Sequence, residues 1–237
     1  MKNIILTIAA VLALASCDKK ETAGNLHING DIKGLKKGTL YIQRFQDNKY
    51  VSLDTITMDG QSTFQADLTI DSPEMLYLKL DRGTTNSLDN TILFFAEPGT
   101  ISIQTNLDNY LSDAKITGSK NQELYEEYKA LASKMNDQHL ELLETKFYAT
   151  KFQQASRIDS INKKMEQNTK RKYLYTANFA VNHKDAAVTP YIVLTEIPDI
   201  NMKYLDTIQS VMTPEVAKTL YGKQLNTMIS EIKKQSK

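Results

Sequence analysis

Ile116-Thr117-Gly118-Ser119-Lys120-Asn121-Gln122-Glu123-Leu124 is the stretch at which the chain changes character. Before Gly118, apolar residues alternate with polar ones in short runs broken by turn residues, the period of strands. After it, Leu124, Tyr128, Leu131, Met135 and Leu142 recur at spacings of three and four, the period of one helix face. Ser119 is a helix cap by type, and Glu123 follows in the first turn. The fold class expected is therefore α+β: an N-terminal antiparallel β-sandwich over residues 25–118, then a helical region of four to five helices over 119–237.

Working back from Gly118, the strands read as follows. Leu26 to Ile32 alternates, Thr39 to Gln43 follows Gly38, and Val51 to Met58 leads into Asp59-Gly60. Asp-Gly between alternating runs is a strong hairpin signal, so Thr63 to Ile70 is expected to pair back onto the preceding strand. Met75 to Leu80 is another strand, Arg82 to Asn90 a polar loop, and Thr91-Ile92-Leu93-Phe94-Phe95 an apolar run suited to a buried strand. Pro98-Gly99 fits the centre of a type II turn, across which Thr100 to Gln104 would pair back. About eight strands without crossover helices point to an antiparallel sandwich.

Working forward, a helix is expected through roughly Lys151 to His183. Asp185 is a candidate cap for a third, with Pro190 near its first turn, and Asp199 or Asn201 for a fourth. Thr213-Pro214-Glu215 is a cap followed by an N1 proline, which starts the last helix.

The other informative segment is the start of the chain. Lys2 precedes an apolar run from Ile4 to Leu14, interrupted only by Thr7. At about 11 residues it is too short for a spanning helix, which needs about 20, and has the layout of a secretory signal peptide. It ends at Leu14-Ala15-Ser16-Cys17, which resembles a bacterial lipobox. The resemblance implies a signal peptide over residues 1–16, cleavage before Cys17, and acyl lipidation of its sulfur and new amino group. One acyl chain holds a protein only marginally, whereas several hold it stably. Residues 17–24 would then be a lipidated polar tether. The expected location is the bacterial cell envelope, lipid-anchored, with the outer membrane favoured and the leaflet open.

Cys17 is also the only cysteine. If it carries lipid, thiol nucleophiles, dithiol redox chemistry and cysteine-rich metal sites are removed from the mature chain. A charged fraction of 24% and a hydrophobic fraction of 41% suit an ordinary globular protein, and a net charge of +1 gives no support to a nucleic-acid partner. The sandwich half is net acidic and the helical half net basic. Lys-rich helix faces account for this simply; docking of the halves, or an approach of the basic half to anionic headgroups, is the sharper reading.

The motifs of chemistry are sparse. His27, His139 and His183 stand apart, without metal-ligand spacing. Asp54, Asp59 and Asp89 lack the spacing of a calcium loop, and Gly222-Lys223 lacks the first glycine of a phosphate loop. A carboxylate pair cannot be chosen from 28 acids without geometry. Tyr125, Tyr128, Tyr173, Tyr175, Tyr204 and Tyr221 read as core or groove-lining residues that could stack on sugars or peptides. Lys170-Arg171-Lys172 reads as a solvated helix face. No cofactor, catalytic residue or metal ligand is assigned.

Several stretches resemble one family. Phe94-Phe95-Ala96-Glu97-Pro98-Gly99-Thr100-Ile101-Ser102-Ile103, then Ile116 to Leu124, are similar to the N-terminal module of bacterial envelope thiol–disulfide oxidoreductases of the alkyl-hydroperoxide-reductase/thiol-specific-antioxidant (AhpC/TSA) type. Ile28 to Gly34, Leu53-Asp54-Thr55, Asp59 to Phe64, Asn182 to Ala186 and Tyr221 to Leu225 fit the same resemblance. It implies a β-rich domain of unknown function with a helical segment. In those proteins a thioredoxin-like domain with Trp-Cys-x-x-Cys follows. Here there is no Trp and no second cysteine, so the family's redox activity does not carry over. The function expected is a membrane-anchored, non-catalytic binding or scaffold module with an envelope protein partner. The alternatives are an accessory to a separate thioredoxin-like oxidoreductase, or a carboxylate-based hydrolase.

Overall fold

The computed structural model describes residues 24–83 and 87–235. Cys17 and the residues read from sequence as signal peptide and tether, through residue 23, lie outside them. The strands are β1 (Leu26–Lys33), β2 (Lys37–Gln46), β3 (Lys49–Asp59), β4 (Thr63–Leu68), β5 (Glu74–Asp81), β6 (Thr91–Ala96), β7 (Gly99–Asn106) and β8 (Lys115–Thr117). The helices are α1 (Lys120–Lys151), α2 (Ala155–Asn182), α3 (Val188–Glu196), α4 (Met202–Val211), α5 (Pro214–Ala217) and α6 (Leu220–Gln235). The fold is α+β, as the period change at Gly118 predicts. The sixth helical segment arises because the Thr213-Pro214 start makes only a single turn, α5, before α6 begins.

Two four-stranded sheets form the sandwich, in the orders β4-β1-β7-β8 and β3-β2-β5-β6. The pairings are antiparallel except β1 with β7, which run parallel from Leu26↔Gly99 to Lys33↔Asn106. The parallel pair arises because both turns, expected to close hairpins, instead carry the chain across to the other sheet. Asp59-Gly60 does not close a hairpin: β3 pairs with β2, whereas β4 crosses to the other sheet and pairs with β1. Gly60, at φ 86°, makes the corner, and its N–H donates to the Lys36 carbonyl at 2.7 Å. Pro98-Gly99 is likewise a crossing, because β6 pairs with β5 and β7 with β1 and β8. The tight hairpin is β2–β3, where Asp47 and Asn48 take φ of 51° and 59°, the positive pair a type I′ turn requires.

The sheets enclose a core in which Leu26, Ile28, Ile32, Leu40, Ile42, Ile101 and Ile103 are fully buried. In β5 and β6 both faces are covered. Leu76, Leu78, Leu80, Ile92 and Phe94 point into the sandwich, while Met75, Tyr77, Leu93 and Phe95 pack on the helices. This explains why 91–95 is continuously apolar rather than alternating.

The first turns of α1 complete the sheet. Ser119 Oγ accepts from the Gln122 N–H at 3.0 Å, the cap expected from sequence. Gln122 Oε1 accepts from the Phe95 N–H at 2.7 Å, closing the outer edge of β6. Asn121 Nδ2 donates to Glu97 at 2.5 Å, and Asn121 Oδ1 accepts from the Val188 N–H at 2.9 Å. Asp185 therefore does not cap α3; Asn121, 67 positions before Val188 in sequence, does. Asn201 caps α4 and Thr213 caps α5, as read from sequence.

Candidate functional site

Where β2 and β5 part company, a cleft opens between sheet β3-β2-β5-β6 and the helices. The β2–β5 ladder runs from Thr39↔Asp81 to Arg44↔Leu76. Past Leu76 the helices take over. The Met75 N–H donates to the Tyr221 hydroxyl at 3.0 Å, and the Leu220 N–H, at the start of α6, donates to Ser72 Oγ at 2.8 Å. The resulting hollow has a volume of about 780 Å³.

Its floor is an ion pair. Arg44 Nε donates to Glu74 Oε2 at 2.7 Å and Nη2 to Oε1 at 2.6 Å. Glu74 is buried, and the guanidinium occupies both of its oxygens. The hydrogen bonds to Glu74 raise the Arg44 pKa above its ordinary value. Asp47 and Asp71 stand exposed on the rim.

The walls are aromatic. On the sheet side, Phe45 and Tyr77 line the hollow, linked behind it by the Tyr50 ring, which meets each edge-on at 5.1 Å between centroids. On the helix side, Tyr191 and Tyr221 lie 4.9 Å apart, backed by Phe95 and Tyr125 at about 6 Å. Burial raises the phenols of Tyr77 and Tyr191 and pushes that of Tyr221 up to about 12. At neutral pH these groups are protonated: they present ring faces and O–H donors, not bases or nucleophiles.

Other sequence candidates go elsewhere. Tyr128 stacks on Tyr175 at 5.5 Å and bonds Thr176 Oγ1 at 2.8 Å. Thr176 donates its own hydrogen to the Lys172 carbonyl, so Tyr128 is the donor of that pair. Tyr173 donates to Asp199 at 2.5 Å, and Tyr204 is exposed. Only Tyr221 of the six named tyrosines lines the cleft, with Tyr125 behind it. His27 pairs with Asp67 across β1–β4, His139 sits on α1, and His183 lies against Phe179 at the end of α2. The three are not brought together, and among the described residues no group of His, Cys, Asp or Glu has metal-binding geometry. In 170–172, Lys172 pairs with Glu196 and Arg171 bonds Gln138 and Asn168. Gly222 serves packing, since a Cβ there would lie 2.0 Å from the Val216 carbonyl oxygen.

Arg44, Glu74, Tyr77 and Tyr191 are members of the site that sequence reasoning missed. Arg44 and Glu74 are 30 residues apart, and no local pattern links them.

The fold and cleft define a class: a two-sheet sandwich joined to a helical bundle, with an aromatic hollow at the seam. Residues 26–125 match the family model described as a domain of unknown function (DUF4369). The match supports such a domain over the sandwich and the first turns of α1, the part in which Gln122 seals β6. No curated protein matches the chain.

Proposed function

We propose that the protein is an envelope lipoprotein, held to the membrane through lipid on Cys17, whose seam cleft binds a partner without chemical turnover. The observation that supports binding is the cleft itself: opposed tyrosine walls over a floor whose one buried carboxylate is fully engaged by Arg44. Tyrosine supplies broad contact area at low entropic cost, with a polar handle for orientation. Such a wall suits an extended peptide or a sugar ring. Among the described residues no helix is long and apolar enough to cross a membrane.

Two measurements test this. Cys17→Ala should abolish incorporation of labelled palmitate and, once charge-dependent contacts are removed by a high-salt wash, move the protein from the membrane to the soluble envelope fraction; palmitate incorporation that persists in Cys17→Ala contradicts the anchor. Because the chain lacks tryptophan, Phe45→Trp places a single fluorophore at the cleft mouth. Its emission should respond to the envelope fraction that contains the partner, and Tyr191→Ala should abolish the response. A response unaffected by Tyr191→Ala contradicts the cleft.

A second reading has its own support. The resemblance of its motifs to oxidoreductase N-terminal modules supports a partner that is itself a thioredoxin-like oxidoreductase, served in trans. Purified thioredoxin-like protein from the same envelope should then produce the Phe45→Trp response.

A further inference from the structure

Helices α1 and α2 form an antiparallel hairpin that outruns the rest of the fold. Of α1, only Leu124, Tyr125, Tyr128 and Ala132 join the core at the seam. Among the described residues, none between Ala132 and Tyr173 joins the three hydrophobic clusters of the body, although Ala149 and Ile161 are buried on the arm. From Ala132 to Lys151 the helix adds about 28 Å of length. Asn168 and Arg171 supply polar bonds to the facing helix along this arm, through the Met135 carbonyl and Gln138.

The tip carries an unusual surface. Phe147 is 65% exposed, Phe152 63% and Tyr148 48%. Leu143 and Leu140 continue the apolar surface one and two turns back from Phe147. Residues 146–158, which span the end of α1, the turn and the start of α2, contain Lys146, Lys151 and Arg157 and no acid. Lys151 Nζ sits 5.8 Å from the centre of the Phe152 ring, with its charge held beside the apolar surface.

We propose that this tip seats in the headgroup layer of an anionic bilayer. Exposed aromatic rings among cations, at the end of a helical arm, match the chemistry of that layer: rings settle at the boundary while Lys and Arg reach phosphates. A second copy of the chain is the poorer occupant, because tip-to-tip contact would set three cations against three. The inference stands apart from the cleft and from Cys17. If both readings hold, the anchor raises the local lipid concentration and the tip fixes how the domain lies on the surface.

The test uses the full chain with Cys17→Ser and Phe152→Trp, a sole tryptophan at an exposed position. Against vesicles of equimolar phosphatidylglycerol and phosphatidylcholine, emission should shift to the blue and be quenched by brominated acyl chains. The same chain with Tyr50→Trp in place of Phe152→Trp reports the sandwich surface and should show neither. The triple change Lys146→Gln, Lys151→Gln and Arg157→Gln should weaken the tip's partition more than tenfold, since each charge is worth roughly fivefold at an anionic surface. Absence of quenching, equal quenching at both tryptophans, or a blue shift that grows with protein concentration without vesicles would each overturn the proposal. The last result would point to a second copy, and a shift produced by an acidic protein but not by vesicles would point to a protein partner.

Discussion

Arg44 and Glu74 meet in a two-pronged ion pair, with Nε–Oε2 at 2.7 Å and Nη2–Oε1 at 2.6 Å, at the point where β2 and β5 diverge. Glu74 is buried while Arg44 remains partly open to the cleft. Removing one partner strands the other, which costs about 3–5 kcal/mol, whereas replacing both with apolar side chains of similar size is often near neutral. Arg44→Ala should therefore lower stability by about that amount in urea unfolding, and Arg44→Met with Glu74→Leu should recover most of it.

Alkaline pH should loosen the seam. Burial pushes the phenols of Tyr125 and Tyr221 up to about 12, above the ordinary value of 10. Between those values the unfolded chain binds fewer protons than the folded one, so stability falls as pH rises. The contribution is fully present below about pH 10 and is lost by about pH 12. Unfolding free energies measured across that range should fall by about 2 kcal/mol for each of the two tyrosines. Tyr125→Phe should flatten part of that slope; an unchanged slope would count against burial as the cause.

Gly222 lets α6 pass close over α5, because an added Cβ would come within 2.0 Å of the Val216 carbonyl oxygen. Gly222→Ala should cost about 1–3 kcal/mol by forcing the helices apart. It should also move Tyr221, the preceding residue, away from the Met75 N–H. Lys223→Ala, at the exposed neighbour, should be silent in the same unfolding assay.

Asn121 joins three elements, since its side chain bonds Glu97 beyond β6 and the Val188 N–H at the start of α3. Asn121→Ala should lose about 1–2 kcal/mol, the usual range for a helix cap. Hydrogen exchange should show faster exchange in the first turn of α3 before any change in the sandwich core.

The features legible in the sequence are those set within a few residues. Ser119 and Thr213 cap helices through N–H groups three positions on, and the apolar period changes at Gly118 because the two halves bury their faces differently. Asp59-Gly60 and Pro98-Gly99 show where local reading ends. Both are real turns, yet a turn does not say whether the next strand joins the same sheet, and in a sandwich the two choices bury the same alternate residues. Asp185 has the right side chain for a cap, but Asn121 reaches the position from another helix. The cleft was the least legible part. Its walls come from β2, β5, α3 and α6, and Tyr77 and Tyr191 look like ordinary half-buried residues until the sheet and helices are brought together.

The central claim is that the seam cleft is the surface at which this protein meets its partner. A photoreactive benzoylphenylalanine in place of Phe45, half exposed at the cleft mouth, tests it in intact cells, with the same group in place of Asp113, exposed between β7 and β8, as the comparison. The account predicts one dominant crosslinked species from position 45, lost when Tyr191→Ala is added, and none from position 113. The same species captured from both positions, or capture from position 45 that survives Tyr191→Ala, would contradict it.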